Sequence, residues 1–127
     1  MGKTFLIDTN TLLEYAAGIL PVGITRWLED IIDRSGFFIS VINQIEVLGH
    51  LSATEELARF LETAVIHQLT DDVIKETIVL RRVKKMKLPD AVIAATAIIF
   101  HGHNLITRNI RDFKSMVNLE VVDPYQL

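Results

Sequence analysis

A chain of 127 residues with 50% hydrophobic and 23% charged side chains is long enough for one core and too apolar for a disordered or low-complexity protein. Cysteine is absent, which excludes a disulfide framework and a thiolate metal site and points to the cytosol. The net charge of -3 and pI near 5.8 exclude nucleic-acid binding by bulk charge, so any such binding must be local.

From the N-terminus, MGKTFLID lacks the apolar stretch of a secretory signal. Thr4-Phe5-Leu6-Ile7 reads as a first strand, stopped by Asp8-Thr9-Asn10, with a helix from about Asn10 to Ala17. Gly18 and Pro21 end that helix. Apolar residues at Ile24, Trp27, Leu28, Ile31 and Ile32 give a second helix over 24–34, closed by Ser35-Gly36. Phe37-Phe38-Ile39 is the second strand. Ser40 caps a third helix whose expected stripe is Val41, Ile45 and Leu48.

Thr54 to Thr63 is amphipathic and helical, and Val65 to Leu69 reads as strand three. A long helix then starts at Thr70-Asp71-Asp72 and turns basic before about Met86, as the helix dipole favours. Leu88-Pro89-Asp90 opens a helix that is apolar all round and therefore expected to be buried; at this length it cannot span a bilayer. Gly102 closes it, Asn104 to Thr107 is strand four, and Leu119 to Val122 a fifth. Strands alternating with helices imply an α/β fold around a central, mostly parallel sheet of four or five strands. No repeat, linker or composition break divides the chain, so residues 1–127 are expected to form one domain. A mean hydropathy of +0.33 leads us to expect an oligomer or protein partner covering some apolar surface.

In an open parallel sheet, ligands bind beyond the carboxyl ends of the strands, and four acids fall at that edge. Asp8 follows strand one, Glu46 lies in the helix after strand two, Asp90 starts the helix before strand four, and Asp112 follows strand four. Singly, Asp8 reads as a helix cap, Asp90 as an acid at the positive end of its helix, and Asp112 as a turn residue. Glu46 lies beside the expected apolar stripe, where a carboxylate needs a partner or a cation. Four converging acids repel one another unless a metal resolves the charge, and an all-oxygen donor set suits Mg²⁺ or Mn²⁺ rather than zinc. Such ions suit phosphodiester hydrolysis.

Basic residues cluster at Arg81, Arg82, Lys84, Lys85 and Lys87, and again at Arg108, Arg111 and Lys114. A charge run of this kind is often a solvated helix end, yet both stretches flank acids of the set and are candidates for holding the phosphates of a substrate. His101 and His103, flanking Gly102, read as cations at a helix C-terminus or as surface residues, and His50 and His67 carry no motif.

The strings Leu6-Ile7-Asp8-Thr9-Asn10-Thr11-Leu12-Leu13, Ile39-Ser40-Val41-Ile42 continuing to Ile45-Glu46-Val47-Leu48, Leu88-Pro89-Asp90-Ala91 with Ile93-Ala94-Ala95, and Leu105-Ile106-Thr107-Arg108-Asn109 ending at Asp112-Phe113 resemble the four signatures of PIN-domain nucleases, in particular VapC-type toxins. The resemblance runs the length of the chain in the right order. It implies a PIN-like fold and a metal-dependent endoribonuclease. Asp8, Glu46, Asp90 and Asp112 would ligate one or two Mg²⁺ or Mn²⁺ ions, supported by Asn10, Thr107 and Asn109. Many members carry a further acid where this chain has Asn109, which implies one tightly held ion and a second completed by substrate phosphate. The resemblance also implies a homodimer, a cognate antitoxin, and tRNA or ribosomal RNA as substrate, in the cytoplasm.

Two other readings compete. A Mg²⁺-dependent phosphatase of haloacid-dehalogenase type, or a receiver domain, shares the acidic edge. The former wants an acid where this chain has Asn10, and the latter an acidic pair and a strand-end lysine. A PIN fold that only binds would not need all four acids.

Overall fold

The computed structural model describes residues 3–113, 116 and 118–126. Strand β1 is Leu6–Ile7, followed by helices α1 (Thr9–Ala16) and α2 (Val22–Ser35), strand β2 (Phe38–Ser40), helices α3 (Val41–Leu48) and α4 (Glu55–Glu62), and strand β3 (Val65–His67). Helices α5 (Asp71–Lys84) and α6 (Leu88–Phe100), strand β4 (Asn104–Ile106), a short helix α7 (Ile110–Phe113), strand β5 (Glu120–Val122) and a 3-10 turn (Pro124–Gln126) complete the described chain. The short α7 and the 3-10 turn are too brief to carry a periodic signal.

All strand pairings among the described residues are parallel, in the order β3-β2-β1-β4-β5. The direction of winding reverses between β1 and β4, which opens a crevice at their carboxyl ends. Successive strand residues point to opposite faces. Leu6 and Leu105 join one core with Val73, Leu80, Ile93 and Phe113, while Ile7 and Ile106 join the other with Leu12, Leu28, Ile39, Val47 and Leu61. The expectation for α6 holds: every residue from Ala91 to Ala97 is buried. Its alanines let the helix approach closely, and Thr96 spends its hydroxyl on the Val92 carbonyl at 2.7 Å.

Two expectations fail. On α3 the buried side chains are Asn43 and Val47, whereas Ile45 is 61% exposed and Glu46 is exposed too. The reason is polar: Asn43 Oδ1 accepts from the Ser40 amide at 2.8 Å, closing a capping box with Ser40, so the helix turns that face to the sheet. His101 is neither a surface residue nor a cation. It is 4% exposed, its Nε2 lies 2.7 Å from His67 Nε2, its Nδ1 lies 3.1 Å from Thr4 Oγ1, and both rings pack around Phe38. Two imidazole nitrogens that close share one hydrogen, so the two rings cannot both be cations. Burial, and then the His67 ring, push His101 down to about 4.

Since the unfolded imidazole titrates near 6.5, acid charges the unfolded chain first. This contribution is therefore complete above pH 6.5 and is lost as pH falls toward 4. His101→Gln, which keeps a hydrogen-bonding side chain without the titration, should lose less stability between pH 7 and pH 4.5 than the wild type, by on the order of 2 kcal/mol. Urea unfolding at both pH values measures it; equal losses would show that His101 is not held neutral.

Candidate active site

Asp8 stands at the end of β1, beside β4 at the point of reversal. Its amide donates to the Ile106 carbonyl at 2.9 Å, which extends the ladder one step and aims the side chain into the crevice. It does cap α1, accepting from the Thr9 amide at 2.8 Å. It does more: its other oxygen accepts from Thr107 Oγ1 at 2.7 Å, and the residue is only 6% exposed. Burial raises its pKa, the Thr107 and Thr9 hydrogen bonds oppose that, and Glu46 adds repulsion.

The other acids surround it on three further elements. Asp90, in the first turn of α6, is pushed up to about 6, chiefly by burial and then by the charges of Asp112, Asp8 and Glu46. Asp90 thus lies within electrostatic reach of the other three sequence-predicted acids, and Asp8 within reach of Glu46. Each of the exposed pair is tied to a neighbour. Glu46 Oε1 accepts from Thr9 Oγ1 at 2.6 Å, and Asp112 Oδ2 accepts from Asn109 Nδ2 at 2.6 Å. Asp90 also shares a side-chain hydrogen bond with Asp112, and among the described residues no three Asp, Glu or His side chains close around a single point.

The supporting residues divide. Thr107 serves Asp8 and also accepts from the Asn109 amide at 3.0 Å, so one hydroxyl links Asp8 to the residue that holds Asp112. Asn10 is exposed and lines a neighbouring cavity. Thr9 and Asn43 escaped the sequence reading. Asn43 Nδ2 donates to Thr9 Oγ1 at 3.0 Å, completing a relay from the buried face of α3 through Thr9 to Glu46. A polar residue one helical turn before the buried Val47 was the available signal.

A cavity of about 280 Å³ is lined by Lys84, Lys85, Met86, Lys87, Asp90, Arg111 and Asp112. It brings the basic run and two of the acids into one cleft, because Lys85 takes a left-handed conformation (φ 56°) that ends α5 and turns the chain toward α6. Arg81 and Arg82 are exposed on α5 but do not line it. Arg108 is engaged elsewhere, donating to Glu14 at 2.6 Å with its guanidinium 3.9 Å from the centre of the Tyr125 ring. Lys114 lies outside the described residues.

The donor set fits a hard divalent ion. It is all oxygen, with neither thiolate nor imidazole, and the raised Asp90 carboxyl marks a surplus of negative charge that such an ion would relieve.

A family profile described as PIN domain matches residues 5–118. The fold is similar to that of a toxin-antitoxin complex from Klebsiella pneumoniae, at 28% identity and TM-score 0.73, over 98% of this chain and 100% of that one. It is similar also to VapBC2 from Rickettsia felis bound to a DNA fragment from their promoter, at 24% identity and TM-score 0.72 over 94% and 99% of the two chains. VapBC-1 from nontypeable Haemophilus influenzae gives 19%, 0.74, 96% and 98%. At these last two identities the likeness is one of fold. No curated protein matches the sequence.

A raised folded-state pKa means that metal-free stability is greatest below the usual 3.8 of Asp90 and is lost as pH rises through about 6. In EDTA, Asp90→Asn should therefore match the wild type near pH 4 and exceed it at pH 7.5 by about 1 kcal/mol, a figure reduced for solvent screening at this partly exposed group. Thermal melts across that range check it. A variant less stable than the wild type at pH 7.5 would mean that the acids are not in conflict.

Proposed function

This chain belongs to the PIN domain family, and on that premise we propose that it is a metal-dependent endoribonuclease and the toxin of a toxin-antitoxin pair, residues 1–127 acting as one domain. The observation that carries the reading is the cleft in which Asp90 and Asp112 share walls with Lys84, Lys85, Lys87 and Arg111. Anionic catalytic groups beside clustered cations suit a polyanionic substrate whose phosphate must approach carboxylates.

Asp8, Glu46, Asp90 and Asp112 would hold one or two Mg²⁺ or Mn²⁺ ions. Such ions, when bound, lower the pKa of water and stabilise charge on a phosphate undergoing hydrolysis. The chain's own residues do the positioning. Thr107 and the Thr9 amide fix both oxygens of Asp8, Thr9 and Asn43 orient Glu46, and Asn109 orients Asp112. Lys84, Lys85, Lys87 and Arg111 would bind flanking phosphates, with Arg81 and Arg82 reaching a longer RNA along α5.

The similarity to a toxin-antitoxin complex from Klebsiella pneumoniae supports an antitoxin partner. Unburied apolar side chains on α5, Ile74, Ile78, Val79 and Val83, support a homodimer or a partner surface there. No helix among the described residues is long and apolar enough to cross a membrane, and we place the protein in the cytoplasm with its substrate, tRNA or ribosomal RNA. The phosphatase reading gains nothing from this geometry, since a small phosphomonoester would leave the basic run along α5 unused.

Cleavage of a structured RNA should require Mn²⁺ or Mg²⁺ and stop in EDTA. Asp8→Asn and Glu46→Gln should each slow it on the order of 10²-fold or more without lowering the melting temperature, because a lost ligand removes charge stabilisation at the reacting phosphate. Charge reversal of Lys84 and Lys85 together should weaken cleavage most at low salt and flatten its salt dependence. A fully active Asp8→Asn enzyme would sink the mechanism.

A further inference from the structure

The loop between β4 and α7 carries two of the groups on which the acids depend. Thr107 donates its hydroxyl to Asp8 Oδ2 at 2.7 Å, and Asn109 donates its side-chain amide to Asp112 Oδ2 at 2.6 Å. Arg108 stands between them and takes part in neither contact. Its guanidinium donates instead to Glu14 Oε2 on α1 at 2.6 Å and lies 3.9 Å from the centre of the Tyr125 ring, in the C-terminal 3-10 turn. Tyr125 OH donates to the same Glu14 oxygen at 3.4 Å.

Charge makes this clamp persistent. The Glu14 side chain is 17% exposed, and its Oε1 is buried with no hydrogen-bond partner among the described residues. Separating Glu14 from Arg108 would leave a largely buried carboxylate without its cation, which costs far more than an exposed ion pair gains. Tyr125 completes the clamp, since the face of an aromatic ring attracts a guanidinium and holds its plane in one orientation.

The turn that carries Tyr125 is itself fixed. The Tyr125 amide donates to Asp123 Oδ1 at 2.9 Å, the Gln126 amide donates to the Asp123 carbonyl at 3.0 Å, and Pro124 is buried. Just before the turn, the Val122 carbonyl accepts from the Thr107 amide at 3.0 Å. Residues 122–125 therefore grip the loop twice, by backbone at Thr107 and by the ring at Arg108. The first grip secures Thr107 and with it Asp8. Asn109 is linked to that grip only through its amide and Thr107 Oγ1, and otherwise follows Arg108.

We propose that Tyr125 is a positioning residue for the acidic centre: by holding the Arg108 guanidinium against Glu14, it fixes where Asn109 stands and so where Asp112 presents its carboxylate. The consequences for metal and catalysis rest on the metal-dependent nuclease reading, whereas the effect on Asn109 does not.

Two substitutions separate the ring from the hydroxyl. Tyr125→Leu keeps apolar bulk and loses the ring face, while Tyr125→Phe keeps the face. In EDTA, nitrogen-15 NMR follows the Asn109 side-chain amide, with the backbone amide of Thr9, bonded to Asp8, as reference. The two Asn109 amide protons, held apart in chemical shift by the bond to Asp112, should converge in Tyr125→Leu with Thr9 unmoved, and Tyr125→Phe should restore the separation. Arg108→Lys, which keeps a charge for Glu14 but loses the plane that meets the ring, should reproduce the Tyr125→Leu spectrum. Melting temperatures show that the variants are folded. Calorimetry should find Mn²⁺ bound about tenfold more weakly by Tyr125→Leu, the lower end of what loss of a ligand's supporting contact costs, and kcat for RNA cleavage should fall with KM unchanged. Asn109 signals unchanged in Tyr125→Leu, a simultaneous shift of Thr9, Mn²⁺ affinity equal to that of a metal-binding wild type, or a Tyr125→Phe as impaired as Tyr125→Leu would each overturn the proposal. If Asn109 responds as expected while the wild type binds no Mn²⁺ and cuts no RNA, the positioning role stands and the nuclease reading alone fails.

Discussion

Carboxylates repel, and a small protein that gathers four of them at one edge of a sheet must hold each in place by something other than its neighbours. Here the means are hydroxyls and amides. Thr107 and the amide of Thr9 secure Asp8, Thr9 secures Glu46, and Asn109 secures Asp112. Asp90 carries the conflict, its carboxyl held up near 6 by burial, by the charges of the three other acids and by a hydrogen bond to Asp112. The rest of the structure serves this arrangement. Reversal of the winding direction between β1 and β4 makes the crevice, and the buried, alanine-rich α6 sets Asp90 against it.

The supports are themselves anchored deep in the fold. Asn43, fully buried, both closes the capping box on Ser40 and donates to Thr9, so the start of α3 and the orientation of Glu46 are one structural fact. Thr107 likewise joins the end of β4 to Asp8 and to the Asn109 amide. Charged groups at the crevice are therefore fixed by neutral polar groups whose own places are set by backbone geometry.

Much of this was legible in the sequence. Alternating strand and helix signals gave the parallel sheet, and the four acids could be placed at its carboxyl edge because Asp8 directly follows a strand, Asp90 opens a helix, and Glu46 and Asp112 come soon after strands two and four. The unbroken apolar run of α6 marked a buried helix correctly. What escaped was tertiary. Periodicity in the eight residues of α3 favoured an apolar stripe through Ile45, but the cost of an unsatisfied Asn43 outweighs the gain from burying one isoleucine. His101 looked like a cation at a helix end; only the fold brings His67 and Thr4 to it from distant parts of the chain. Arg108 reads as a phosphate ligand in sequence, yet Glu14 and Tyr125 claim it, a contact that depends on the docking of the C-terminal turn.

Asp8, Glu46, Asp90 and Asp112 would form one coupled centre whose excess charge a divalent cation relieves. Its most direct test is a carbon-13 NMR titration of the Asp90 carboxyl, with and without saturating Mg²⁺. The coupled centre predicts a midpoint near 6 in EDTA, falling below the ordinary 3.8 when the ion is bound. An Asp90 that titrates at its ordinary value in EDTA, or whose midpoint is indifferent to Mg²⁺, would contradict it.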